Sequence, residues 1–439
     1  MGAKKSFIFF LLVFCFFNSC TKKIPVDEIA DIKELQIRKN AKNVYLYIQQ
    51  DNINYTQAYE NFIDSMTLEE KISQLFIENV NGQTHFSPNE YFDDGKPVIP
   101  GGYLFFGFNL ASDSKGIIKF TQSINKYCVE NGITAPFLAI DHEGGSVNRL
   151  RNINAPLESC ESIAQKYTAD KAYDIYEKQA LQLKYLGFHM NLAPVAELCT
   201  KDNVDFLSGR SYGDEEQVVE YGSACVNAYE QNNIATVVKH FPGNTNTDPH
   251  SGLPVINLSE AEIRNDLKPF IEVLKTNPTA VLMSHAIVDS VDKGTPSCLS
   301  KTWVTDILRK EYGYKGVIFS DDIFMAALAK NGYDTKKSVI MAIEAGINCI
   351  MISGKNIKYP VSVLKEKAQE DTDFYNKIEY SFNKIIEYKI KSGLLEFVPQ
   401  KDGSYILKST SINISDADQN IKFDEARLEN IKLYQEYKN

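Results

Sequence analysis

Past residue 60 the chain alternates short apolar runs with stretches whose apolar residues fall at helical spacing. Eight runs stand out: Gln74–Ile77, Gly102–Phe106, Pro136–Ile140, Met190–Val195, Ile234–Val238, Ala280–Met283, Gly316–Phe319 and Cys349–Ile352. Continuous apolar runs of this length fit strands buried on both faces, and such strands belong to parallel sheets. Alternation with helices then predicts an α/β fold, a closed (β/α)8 TIM-type barrel in one catalytic domain. A helix is expected to open at Asp64–Lys71, where Thr67 and Glu70 have capping-box spacing. A closing helix is expected over residues 375–395, stopped at Ser392-Gly393.

The residues just after the runs distinguish a barrel from an open sheet. Asp141 ends the third run, Lys239-His240 the fifth, Ser284-His285 the sixth and Ser320-Asp321-Asp322 the seventh. A barrel gathers all its strand ends on one face, where catalytic groups lie. A doubly wound sheet concentrates its ligands at one switch point. Ionisable groups after strand upon strand favour the barrel.

The two ends of the chain read differently. Two lysines within the first five residues and the apolar stretch over residues 6–17 form an n-region and a short h-region, ending at Asn18-Ser19-Cys20. This pattern resembles a bacterial lipoprotein signal, which implies removal of residues 1–19 and a lipid on Cys20. The protein is then exported and anchored to a bacterial membrane, on the periplasmic side or the cell surface. Residues 20–60 read as a polar tether, 61–395 as the catalytic domain and 396–439 as a polar tail. The net charge of −10 argues against nucleic acid as a partner. Six cysteines beyond Cys20 are scattered and suit buried thiols. Six histidines without a His-x-His or His-Glu-x-x-His motif give no metal site, and no cofactor is expected.

Four segments carry a family resemblance. The stretch Ile307–Asp321 (ILRKEYGYKGVIFSD) resembles the nucleophile signature of glycoside hydrolase family 3. Asp141–Arg149 (DHEGGSVNR) is similar to its DxEGGxVxR segment. Lys239-His240-Phe241-Pro242-Gly243 with Asp248-Pro249-His250 resembles the KHFPG…DxH loop of its single-domain β-N-acetylglucosaminidases. Gly209–Gly213 (GRSYG) is similar to their DRSFG segment. The four occur in the family's order. The resemblance implies Asp321 as nucleophile and His250 as general acid/base assisted by Asp248. Asp141, Arg149, Arg210, Lys239 and His240 would hold the terminal sugar, and His285 is assigned to the same pocket. The loop departs from KHFPGHG…DSH by being two residues shorter, and Phe324 stands where a small or polar residue is usual.

Residue chemistry is consistent with that assignment. A retaining glycosidase needs a carboxylate for the oxocarbenium-like carbon and a proton donor for the leaving oxygen. A histidine replaces the usual carboxylic acid, and a carboxylate two residues away stabilises its imidazolium. Structural alternatives exist: a helix cap for Asp321 and Asp322, a surface turn for Asp248-Pro249-His250, a buried ion-pair element for Lys239 and His240, and a surface salt bridge for Arg149. The resulting expectation is an exo-β-N-acetylhexosaminidase acting on N-acetylglucosamine-type sugars, with peptidoglycan fragments as a candidate source. A β-glucosidase on the same barrel and a non-catalytic glycan-binding lipoprotein are the alternatives.

Overall fold

The computed structural model describes residues 55–248, 252–410 and 414–437. Eight strands build the barrel: β1 (Phe76–Asn79), β2 (Gly102–Phe105), β3 (Phe137–Ile140), β4 (Met190–Asn191), β5 (Ala235–Phe241), β6 (Ala280–Met283), β7 (Val317–Phe319) and β8 (Ile350–Ile352). Neighbours in the chain are neighbours in the sheet, all parallel, and β8 returns to pair with β1. Phe319 bridges Cys349 just before β8, which joins the remaining edge. The expected (β/α)8 architecture is present, and each apolar run contributes one strand. β1 begins two residues late because the preceding helix, Leu68–Ser73, holds Gln74 and Leu75 in its last turn through bonds to Lys71 and Ile72. That helix opens with the capping box expected at Thr67 and Glu70.

The barrel interior is packed. Phe137 on β3 and Phe319 on β7 meet edge to face across it, with centroids 6.1 Å apart. Gly102 on β2 makes room for them, since a Cβ there would lie 2.2 Å from the Phe137 ring. At the amino-terminal end of the strands the helix Thr372–Lys391 supplies a plug. Its Lys389 is fully buried and donates to Gln74 Oε1 at 2.6 Å and to the Ala135 carbonyl at 2.7 Å. Burial pushes this amine down to about 7. With that end closed, the carboxyl ends of the strands are where a ligand can enter.

The chain ends differ from the sequence expectation. A helix, Thr56–Asp64, begins in the stretch read as tether and runs past its expected end, and Tyr55 stacks on Phe397 at 4.2 Å. The stretch read as a tail forms a hairpin, Leu395–Pro399 with Tyr405–Ser409, and a helix, Asp416–Tyr437. Phe423, Ala426, Asn430 and Tyr434 are buried, and Asn430 donates to the Ile175 carbonyl of the helix Ala169–Tyr185 at 2.9 Å. Their spacing of three and four is helical, a signal masked by the polar average of the segment. Among the described residues no helix is long and apolar enough to cross a membrane. Cys20 and the apolar segment before it lie outside them. Five of the six described cysteines are buried thiols, and Cys199 is exposed.

One buried acid on the barrel wall couples the fold to pH. Glu78 on β1 accepts a bond from Asn89 at 2.9 Å through one oxygen, while the other oxygen has no partner. Burial pushes its pKa up to about 8, against the Asn89 bond and with help from Glu90. In the unfolded chain the same carboxyl ionises near its ordinary value of 4.5. Between those values the folded protein holds a proton that the unfolded chain releases, so stability falls as pH rises. Glu78→Gln abolishes this slope, and relative to wild type it gains about 1.4 kcal/mol of stability per pH unit across the window. Urea unfolding at pH 5 and pH 8 measures the difference. Parallel pH slopes for the two proteins would mean that Glu78 is ionised in the fold.

Candidate active site

Two local distortions aim the charged side chains. After β3, residues His142–Gly144 and Val147–Asn148 fold back as a hairpin around Gly144 and Gly145, both at positive φ. A Cβ at Gly144 would lie 2.1 Å from the Glu158 carbonyl, so only glycine fits there. The hairpin returns Arg149 to within 3.8 Å of Asp141. Its ladder pairs His142 with Asn148 and Gly144 with Val147, leaving Glu143 out as a bulge. β5 repeats the device. Leu282 pairs with Lys239 and Met283 with Phe241, so His240 is skipped. A bulge redirects the side chain it leaves unpaired.

Glu143 and Lys239 meet at the centre of an ion-pair network. Lys239 Nζ lies 2.6 Å from Glu143 and 2.9 Å from Asp141. Arg210 grips Glu143 with two bonds, from Nε at 2.7 Å and from a terminal nitrogen at 2.9 Å. Burial alone would raise the pKa of Glu143, yet Lys239 and Arg210 hold it down at about 2. Burial likewise opposes the Lys239 ammonium, and Asp141 followed by Glu143 outweighs it and raises its pKa. Glu143 is therefore ionised and Lys239 protonated at neutral pH. Exposure rises outward: the side chain of Glu143 is 2 % exposed, Asp141 18 % and Arg149 33 %.

His240 belongs to a second cluster. Its Nδ1 lies 2.6 Å from Glu197 Oε1, which also accepts from Asn244 at 3.3 Å. Glu197 Oε2 and Asn244 Oδ1 are buried without a partner, and both residues line a cavity of about 590 Å³ between the loops after β4 and β5. Asn246 ties those loops together, donating from its backbone to the Asp202 carbonyl at 2.6 Å and accepting from Asp205 and Phe206. Farther along, Asp248 is exposed and its carbonyl accepts from Gly252 at 3.1 Å. His250 lies outside the described residues.

The turn after β7 carries Asp321. Its Oδ1 accepts from the Asp322 backbone at 2.8 Å, and the side chain remains partly exposed. It does not cap the next helix, which starts at Ala326. Asp322 is the structural member, accepting from the backbones of Phe324 and Ser353. His285 is wholly buried, with Nδ1 3.1 Å from Cys298 Sγ and Nε2 3.0 Å from the Asp322 carbonyl. Both ring nitrogens face protein, so His285 stands beneath the turn that carries Asp321.

Asp141, Arg149, Arg210 and Lys239 thus share one network, His240 stands beside it, and Asp321 lies at another strand end of the same barrel. Sequence reasoning missed Glu143 and Glu197. Glu143 sits inside the quoted DHEGG segment, and Glu197 comes after the fourth apolar run much as Asp141 comes after the third. Among the described residues no group of three or more His, Cys, Asp or Glu is arranged to hold a metal ion.

The family model for the glycosyl hydrolase family 3 N-terminal domain matches residues 67–387. An uncharacterized secreted glycosyl hydrolase of Arthroderma benhamiae is 31 % identical over 278 residues, covering 61 % of this chain and 77 % of the relative. A beta-hexosaminidase of Tolumonas auensis is 31 % identical over 262 residues, covering 57 % and 75 %. A fungal multi-domain GH3 beta-N-acetylglucosaminidase has a solved structure that superposes with a TM-score of 0.71 at 27 % identity. The match covers 84 % of this chain but 43 % of that longer one.

The network predicts an asymmetry between its two carboxylates. Glu143→Ala leaves the buried Arg210 without its two-bond partner and Lys239 with Asp141 alone, and costs about 3–5 kcal/mol of unfolding free energy. Asp141→Ala leaves Lys239 paired with Glu143 and costs clearly less. The depressed pKa of Glu143 adds a pH signature. Its contribution is complete above the unfolded value of 4.5 and is lost as pH falls through about 2. Urea denaturation of both variants at pH 7 checks the ranking, and equal losses would contradict it.

Proposed function

The chain belongs to glycosyl hydrolase family 3, and from that premise we propose that it is a retaining exo-β-N-acetylhexosaminidase releasing terminal β-linked N-acetylglucosamine-type sugars. One observation carries the reading. The ion-paired cluster of Asp141, Lys239, Glu143 and Arg210 and the partly exposed carboxylate of Asp321 all stand at strand ends, or on the loops that follow them, on one face of the barrel. Fixed charges in a partly desolvated site suit a hydroxyl-rich ligand and a charge-developing transition state. The two unpartnered acceptors at Glu197 and Asn244 add sites that a hydroxyl donor satisfies.

In the proposed reaction Asp321 attacks the anomeric carbon as the leaving oxygen takes a proton from His250, with Asp248 orienting the imidazole. Water then attacks the glycosyl ester while His250 takes its proton back, so configuration is retained. Asp141, Arg149, Arg210, Lys239 and His240 hold the terminal sugar. Glu143 and Glu197 act as positioning residues for Lys239, Arg210 and His240, and His285 as one for the Asp321 turn. The names of the Tolumonas and fungal relatives support amino-sugar over glucose specificity. The secreted relative and the sequence before Cys20 support export with a lipid anchor. Peptidoglycan fragments are the proposed source of substrate.

Asp321→Ala is expected to abolish turnover with folding intact, because no other group forms the ester. Activity within about tenfold of wild type, a barrier change of only ~1.4 kcal/mol, would sink the assignment. Matched aryl β-N-acetylglucosaminide and β-glucoside are to be compared in the same assay, and a preference for glucose would move the protein to the β-glucosidase branch. His250→Ala should slow substrates with poor leaving groups far more than activated aryl glycosides. Equal losses on both would make His250 a binding residue.

A further inference from the structure

Phe108, in the loop after β2, is 66 % exposed, the highest value among the large apolar side chains of the described residues. Single exposed apolar residues are ordinary, but this one is part of an ordered stack. Its ring lies nearly parallel to that of Phe106, at an angle of 11° with centroids 5.6 Å apart. The Arg149 guanidinium lies 5.9 Å from the Phe106 centroid and 3.8 Å from Asp141. A continuous path therefore leads from the ion-pair network at the strand ends, through Arg149 and Phe106, to an exposed aromatic face.

The loop that presents this face is held from below. Buried Asn109 accepts from the Phe106 backbone at 3.0 Å and from Asn79 at 2.8 Å, and donates to the carbonyls of Val80 and Gly82. Four bonds to one side chain fix the phenyl pair in place without burying its outer member. A surface fixed in advance loses little entropy when a ligand settles on it. The ligand must offer an apolar face of ring size while keeping polar groups at its rim. A pyranose does so, with C–H bonds on its faces and hydroxyls around its edge.

We propose that Phe106 and Phe108 form a stacking platform for the sugar ring next to the one that is cleaved off. The proposal rests on the exo-hexosaminidase reading. In an exo-acting enzyme the terminal sugar fills the pocket, so every further ring of the chain lies on the leaving-group side, outside it. The platform gives the protein a preference for saccharide chains over glycosides with a small leaving group, and Phe108 is its outer contact.

Steady-state kinetics of the full chain test this on three substrates: methyl β-N-acetylglucosaminide and the β-1,4-linked di- and trisaccharides of N-acetylglucosamine. Phe108→Ala is expected to raise KM for the two saccharides about tenfold, the scale of one aromatic contact. KM for the methyl glycoside, which leaves the platform empty, should change less than about twofold, and Phe108→Trp should keep the preference for saccharides. A Phe108→Ala protein with unchanged KM on the saccharides, or with equal rises on all three substrates, overturns the platform and leaves the hydrolase reading standing. A wild-type protein that cleaves none of the three removes that reading, and the platform with it.

Discussion

One ammonium, that of Lys239, organises the face of the barrel where the chemistry is assigned. It lies between the carboxylates of Asp141 and Glu143, and through them ties β5 to the hairpin after β3. Arg210, from the loop after β4, closes on the same Glu143. Three successive connections are thus drawn to a single buried charge. Burying ions costs free energy that their mutual attraction does not always repay, so such a network is weak evidence of selection for stability alone. It is better understood as a set of charges fixed before a ligand arrives. The exposure gradient fits that role, because the inner members are locked by each other while Asp141 and Arg149 reach the solvent.

The strands alone do not place these groups. Regular pleating would send Glu143 and His240 along with their neighbours, whereas a bulge in each ladder releases them. Glycines at positions 144 and 145 let the hairpin turn tightly enough for Arg149 to come back beside Asp141. The second cluster, with Glu197 holding His240 and Asn246 pinning the loop, continues the scaffold toward Asp248. On the opposite side of the face, Asp322 and His285 shape the turn that presents Asp321.

Much of this is legible in the residues. Strands buried on both faces announce themselves as unbroken apolar runs, so the barrel can be read from periodicity. Asp141, Lys239 and Asp321 stand out by lying just after such runs. Glu143 and Glu197 obey related local cues but gain meaning only from partners 96 and 43 positions away, in the bonds Lys239–Glu143 and His240–Glu197. His285 shows the converse. Its place after a strand suggests a ligand contact, while burial against Cys298 and Asp322 is invisible without the fold. The helix Asp416–Tyr437 is hidden by its polarity, since only one narrow face packs on the barrel.

The central step of the proposed reaction is a covalent bond between one sugar and one carboxylate. A slow-turnover 5-fluoro glycosyl fluoride of N-acetylglucosamine accumulates the glycosyl-enzyme, and peptide mass spectrometry then locates the label. The prediction is a mass gain of one fluorinated sugar residue on the peptide containing Ser320-Asp321-Asp322, with fragmentation placing it on Asp321. A label on any other carboxylate, or turnover of natural substrate without any trapped ester, would contradict the central claim.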